Sequence, residues 1–213
     1  MNGILLYVLL LALPTMSFAK SAKLSTKEVD TVLASYRQAK AIRAKVKKTV
    51  YQETMQTETK SQGDFYFSKG KLRLDIAEPE RTTLVYDGKI IWFESRLDDQ
   101  HVTVTKMRVN ELRRSDTILA ALFDSKDMLK HFNLKAASKS EKGNLFAFEA
   151  KDKKKSDVQS LEFTVKNKDI QRISYKDRIE NRVTLEFSEL TKGAVSADKF
   201  VYKPPQHAEI TEP

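Results

Sequence analysis

Residues 63–104 read GDFYFSKGKLRLDIAEPERTTLVYDGKIIWFESRLDDQHVTV, and their pattern decides the fold. In Leu72-Arg73-Leu74-Asp75-Ile76 apolar and charged side chains alternate, the period of a strand with one buried face and one wet face. Glu78-Pro79-Glu80 breaks the pattern and residues 82–86 resume it. Asp87-Gly88 then separates two apolar runs, a strong hairpin signal because the turn demands positive φ; residues 90–93 run back. Residues 100–104 add another alternating strand. Just upstream, residues 64–67 set Phe65 and Phe67 on one face and Tyr66 on the other, with Lys69-Gly70-Lys71 as the turn.

The same signal recurs on both sides. Residues 42–55 form a first long strand, in which Val46, Val50 and the threonines favour the extended state; Lys45, Lys47 and Lys48 lie on or near it. Residues 145–150, 158–165, 170–177, 182–190 and 200–202 are further short strands, and Pro204-Pro205 ends the last. Such spacing predicts an antiparallel sheet or barrel. Two segments read as helix. Residues 25–40 open with the capping box Ser25-Thr26-Lys27-Glu28 and carry one apolar stripe, Val29, Val32, Leu33 and Tyr36. Residues 111–131 form a helix in two pieces, with Ser115 or Asp116 as cap, an apolar knot at 117–123, and Met128, Leu129 and Phe132 at helical spacing. A helix this apolar either plugs a core or lids a cavity.

Composition bounds the function. The 213 residues suit one domain, 20–213, and 40% hydrophobic residues suit a folded core. Residues 1–19 read as a signal peptide: residues 4–13 are apolar, too few to span a bilayer comfortably, and Ser17-Phe18-Ala19 suits cleavage after Ala19. An uncleaved N-terminal anchor is the alternative. Cysteine is absent, which excludes a disulfide framework and the acylated cysteine of a bacterial lipoprotein. The net charge of +9 suits an anionic lipid or an acidic partner, or a solvated lysine-rich face. Nucleic acid is disfavoured, because neither an RNA-binding aromatic signature nor a groove-reading basic helix is present.

An enzyme is not what the motifs suggest. His101, His131 and His207 are far apart in sequence, none in a metal-binding spacing, and Asp98-Asp99 sits in a polar turn. There is no nucleophile elbow, P-loop or dinucleotide fingerprint.

The order G-x-F-x-F, a basic G-K-L-R turn and strand, a proline, L-V-Y-D-G-K-x-x-W-F and Q-x-V-T-V resembles the periplasmic lipoprotein carrier family LolA. Residues 199–206, KFVYKPPQ, are similar to that family's closing strand, F-x-F-x-P-P-x-G. The resemblance implies a mainly β fold: a half-open antiparallel β-barrel covered by an N-terminal helix and a central helical lid. It implies a non-enzymatic monomer in the periplasm that needs no cofactor and no metal. It would shield the acyl chains of lipoproteins, taking them from an inner-membrane ABC transporter to an outer-membrane acceptor. The expected acyl-chain lining is Phe65, Phe67, Leu72, Leu74, Trp92 and Phe93, and the expected lid is Val32, Tyr36, Ile118, Leu119, Leu122 and Phe123. Burying such chains is worth about 0.8 kcal/mol per methylene. The family's Arg-Pro before its G-x-F-R-W strand is Ser68-Lys69 here, and the aromatic pair of that strand is Leu72 and Leu74. Lys69 supplies charge without a planar fork, and Arg73 matches the second basic position, so these two are the candidates for the lid latch or a basic rim. Rival readings are a carrier or sensor of another lipid, such as a glycolipid or phospholipid, and a basic protein-interaction module with a filled barrel.

Overall fold

The computed structural model describes residues 26–38, 40–77, 79, 81–108 and 128–212. The chain opens with helix α1 (Thr26–Gln38). Six strands follow: β1 (Ile42–Gln52), β2 (Thr57–Ser68), β3 (Lys71–Ile76), β4 (Arg81–Tyr86), β5 (Ile90–Arg96) and β6 (Val102–Arg108). A single helical turn, α2 (Met128–His131), leads into β7 (Phe132–Ser140), β8 (Gly143–Ala150), β9 (Val158–Lys166), β10 (Asp169–Asp177) and β11 (Arg182–Lys192). A 3-10 turn (Ala197–Phe200) and a short β12 (Glu209–Thr211) close the chain.

All twelve strands belong to one sheet, in the order β12-β6-β5-β4-β3-β2-β1-β11-β10-β9-β8-β7. Every pairing is antiparallel except β12 on β6, which is parallel. Register assigns the faces. On the inner face Phe65 sits opposite Ala44 and Leu74, and Phe67 opposite Ile42 and Leu72. In the other half Phe163 sits opposite Phe146 and Ile173, and Leu161 opposite Phe148 and Tyr175. These residues from distant strands share one hydrophobic core. The sheet is therefore curved, folding its two halves toward each other: Leu74 of β3 and Phe93 of β5 meet Tyr175 of β10 and Leu185 of β11 around one small cavity. Gly63 permits a close approach on the way: a Cβ built there would overlap the Asp75 carbonyl of β3.

Turn chemistry follows the sequence. At Asp87-Gly88 the glycine has φ +101°, and the Asp87 carboxylate accepts from the amides of Lys89 and Ile90 at 2.8 and 2.9 Å. Asp98 holds the β5–β6 turn in the same way, accepting from the amides of Gln100 and His101, both at 2.8 Å. Its carboxyl is pushed down to about 2, first by the hydrogen bond with the His101 ring and then by those two amides.

Three expectations change. Phe132 does not continue a helix: it opens β7, where it pairs with Ala150 and is buried. That strand escapes a reading of alternation because Lys-Ala-Ala-Ser-Lys-Ser has weak strand character and a bulge at Leu134/Ala136. Residues 200–202 are not a closing strand of the barrel. Phe200 ends the 3-10 turn, and the pairing strand β12 lies beyond the prolines. β2 begins at Thr57, seven residues earlier than the apolar pattern suggests, because its first half is a polar hairpin arm on β1.

Candidate functional site

The inner face is built from alternate positions of β1–β5 and β8–β11. Phe65, Phe67, Leu72 and Leu74 all lie on it and are buried. Phe93, opposite Leu84, packs against the same core from a half-buried position. Among the described residues, an apolar cavity of about 20 Å³ lies between Leu74, Phe93, Tyr175, Val183 and Leu185. That is room for about one water molecule. Around it the described side chains of the inner face pack against one another. Lys48 also lines this cavity, and the alternation of β1 sets it between Val46 and Val50. Its aliphatic stem can lie along the apolar wall while the ammonium stays wet.

Sequence reasoning drew the lining from β2, β3 and β5 alone. The structure adds an equal share from the second half: Phe146, Phe148, Phe163, Ile173 and Leu185, all fully buried. Their signal was present in the alternation of Phe146 with Phe148 and of Leu161 with Phe163 and Val165.

Of the expected lid, Val32 and Tyr36 lie on the inner side of α1 and join the core. The Tyr36 hydroxyl accepts a hydrogen bond from the Ile170 amide at 2.8 Å, tying α1 to the start of β10. Burial pushes this hydroxyl above the ordinary tyrosine range, so it stays protonated. Ile118, Leu119, Leu122 and Phe123 lie outside the described residues.

Trp92 is on the other face. It alternates with Phe93, so if one points inward the other points outward. There the C-terminal segment crosses the sheet and covers it. The Tyr202 ring lies against Trp92, centroids 5.4 Å apart, and the Lys106 ammonium is 5.6 Å from the Trp92 ring. The Tyr202 hydroxyl donates to Glu94 Oε2 at 2.5 Å, and Arg96 Nε donates to Glu94 Oε1 at 2.5 Å. Burial pushes the Glu94 carboxyl up, but the hydrogen bonds from Arg96 and Tyr202, with the Arg96 and Arg73 charges, bring it below the usual carboxylate range. Arg73 pairs with Asp75 at 2.7 Å and reaches the Lys199 carbonyl at 3.3 Å. The structure thus uses Arg73 to hold the C-terminal segment on the outer face. Lys69 occupies the β2–β3 turn with φ 49° and borders a separate cleft at the end of the sheet.

The buried Glu94 is paired within the outer-face layer, Ser174 bonds to Thr184, and among the described residues no group of three His, Asp or Glu side chains is placed to hold a metal ion.

The family model of the outer membrane lipoprotein carrier protein LolA matches residues 37–203. Comparison with curated proteins finds no match. Among solved structures, the chain is similar to an uncharacterized conserved protein from Thermus thermophilus, with 11% identity, 89% of this chain and 100% of that chain covered, and a TM-score of 0.51. It is also similar to a LolA superfamily protein from Nitrosomonas europaea, with 10% identity, 81% and 96% covered, and a TM-score of 0.42. The lipoprotein LppX of Mycobacterium tuberculosis aligns at 11% identity, 81% and 97% covered, and a TM-score of 0.37. At these identities the likeness concerns the fold.

Proposed function

The chain belongs to the LolA family, and on that premise we propose that it is a carrier of acyl chains, exported to the periplasm through the signal at residues 1–19. The cargo is the lipid portion of lipoproteins, received at the inner membrane from an ABC transporter and delivered to an acceptor at the outer membrane. The observation that carries this reading is the inner face of the curved sheet, a continuous apolar wall contributed by both halves of the chain. Phe65, Phe67, Leu72, Leu74 and Phe93 form one side of it; Trp92 belongs to the outer face and is not part of the site.

Loading requires the packed inner face to open. Acyl chains then replace side-chain contacts with their own, each methylene removed from water contributing about 0.8 kcal/mol. The opened form must be only a few kcal/mol above the closed one for cargo to enter and leave. The α1 helix, tied to β10 through Tyr36 and packed on the core by Val32 and Leu33, is the cover that moves.

The small cavity also suits the second reading, a protein-interaction module whose barrel stays filled. Native mass spectrometry of the protein purified from its own periplasm separates the two. A stoichiometric lipoprotein supports the carrier reading, and another bound lipid changes the cargo while keeping the site. An empty protein that also refuses a fluorescent acyl probe sinks the carrier reading and favours the interaction module.

A further inference from the structure

One end of the sheet carries a cleft ringed by lysines. Because consecutive strands are antiparallel, the β2–β3, β4–β5, β7–β8 and β9–β10 turns fall at one end. Each carries lysine: Lys69, Lys89, Lys142 and Lys168. The turns at the other end are held by Asp98, Asp152 and Asp177, which accept backbone amides as Asp87 does at the first, and the β8–β9 turn there carries lysines of its own, Lys151 and Lys153 to Lys155.

At the first end lies an open cleft of about 900 Å³, between the start of β1, the β2–β3 turn and the chain after β11. Its wall is apolar, with Ala41, Ala194, Val195, Ala197 and Phe200. Its rim is Lys40, Lys69, Lys71 and Lys192, and no carboxylate lines it. Lys192 pairs with Asp169 at 2.8 Å, whereas Lys40, Lys69 and Lys71 make no ion pair among the described residues. Ammonium groups held around an apolar trough, three of the four without an ion pair among the described residues, complement one kind of occupant: an anionic head attached to a hydrocarbon body.

We infer that this cleft seats the phosphate headgroup of an anionic phospholipid at a bilayer surface, so that the protein docks on membranes by this end. The lysines face the phosphates, and the first carbons of the lipid lie against Val195 and Phe200. The site is distinct from the inner face, which Phe67 and Leu72 fill from the other side of the sheet end. It operates whether or not acyl cargo is carried, so it stands or falls independently of the carrier reading.

Flotation of the purified protein with vesicles tests it. Vesicles of phosphatidylcholine with 30% phosphatidylglycerol are compared with pure phosphatidylcholine, with sodium chloride raised in steps. Binding is expected only to the anionic vesicles, and should weaken with salt as exposed charges are screened. Lys69→Ala with Lys71→Ala should weaken it by roughly 30-fold, the product of two lysines near an anionic surface. Ala194→Glu, at an exposed position on the cleft wall, should cause a comparable loss without touching the core. Lys154→Ala with Lys155→Ala removes the same charge at the opposite end. β11 alone runs 11 residues, roughly 35 Å of strand and several Debye lengths of ~8 Å, so this variant should change binding about twofold or less. Equal binding to neutral vesicles, or none to either, overturns the proposal. So does an equal loss in the Lys154/Lys155 variant, or an Ala194→Glu variant that binds like the parent.

Discussion

On the inner face Phe67 and Leu72 sit opposite each other, both at 0% exposure, among side chains that are almost all hydrocarbon. On the outer face of the neighbouring strands Trp92 lies against Tyr202, and the buried carboxylate of Glu94 is held between Tyr202 and Arg96. The first layer comes from alternation within strands and gains stability by removing apolar area from water. The second needs a segment more than a hundred residues away to close over it, and its polar groups are tolerable only because each finds a partner. One sheet thus carries two layers. The inner rests on non-directional contacts; the outer is directional and depends on specific pairs. A carrier gains from this division, because the face that must open is separate from the face that fixes the C-terminal segment.

Mutations can break the comparison from either side. The largest effect is expected on the inner face: Phe67→Ala should cost about 3–5 kcal/mol, from lost transfer energy and the cavity left behind, measured by urea unfolding. If the inner wall lines an acyl site, a milder change there should alter probe uptake as well. On the outer face Glu94→Ala leaves the Arg96 guanidinium and Tyr202 hydroxyl without their acceptor, and should cost about 1.5–3 kcal/mol while leaving acyl uptake intact. A loss of uptake in that variant would mean that the two layers are coupled.

Acid sharpens the same contrast. Glu94 lies below the ordinary carboxylate range when folded, and near ~4.3 when unfolded. Its contribution is fully present above the unfolded value and is lost as pH falls through the folded one. Unfolding midpoints should therefore drop below about pH 4.3, and Glu94→Gln should flatten that part of the profile. Tyr202→Phe removes one hydrogen bond and keeps the ring on Trp92, for about 1–1.5 kcal/mol. The smallest signal is spectroscopic. Trp92 is the chain's one tryptophan, so its emission reports the outer face alone. Loading acyl chains should leave it unchanged, whereas Tyr202→Ala should shift it to the red.

Much of this was legible along the chain. Alternation located β1, β3, β4, β5 and β8–β11, the Asp87-Gly88 turn is where the hairpin turns, and the α1 stripe buries Val32, Leu33 and Tyr36. These are local signals, set by period and turn chemistry, and local reading reaches them. β7 was missed because its bulged edge carries little alternation. Residues 200–202 were misread because an extended, aromatic pattern looks the same whether it pairs in a sheet or lies across one.

The sequence by itself determined the mainly β class, the positions of most strands and the apolar character of one face of each. Only the tertiary structure decided which partner each strand takes, and so which of Trp92 and Phe93 faces the core. It also decided that the second half of the sheet lines the inner face as fully as the first, and that the C-terminal segment straps the outer one. The gathering of Lys40, Lys69, Lys71 and Lys192 around one cleft is likewise a tertiary fact. The physical reason is common to all of these. Period and propensity act between near neighbours, whereas curvature, face and end arise from contacts between residues far apart in the chain, such as Phe65 with Phe187 and Trp92 with Tyr202.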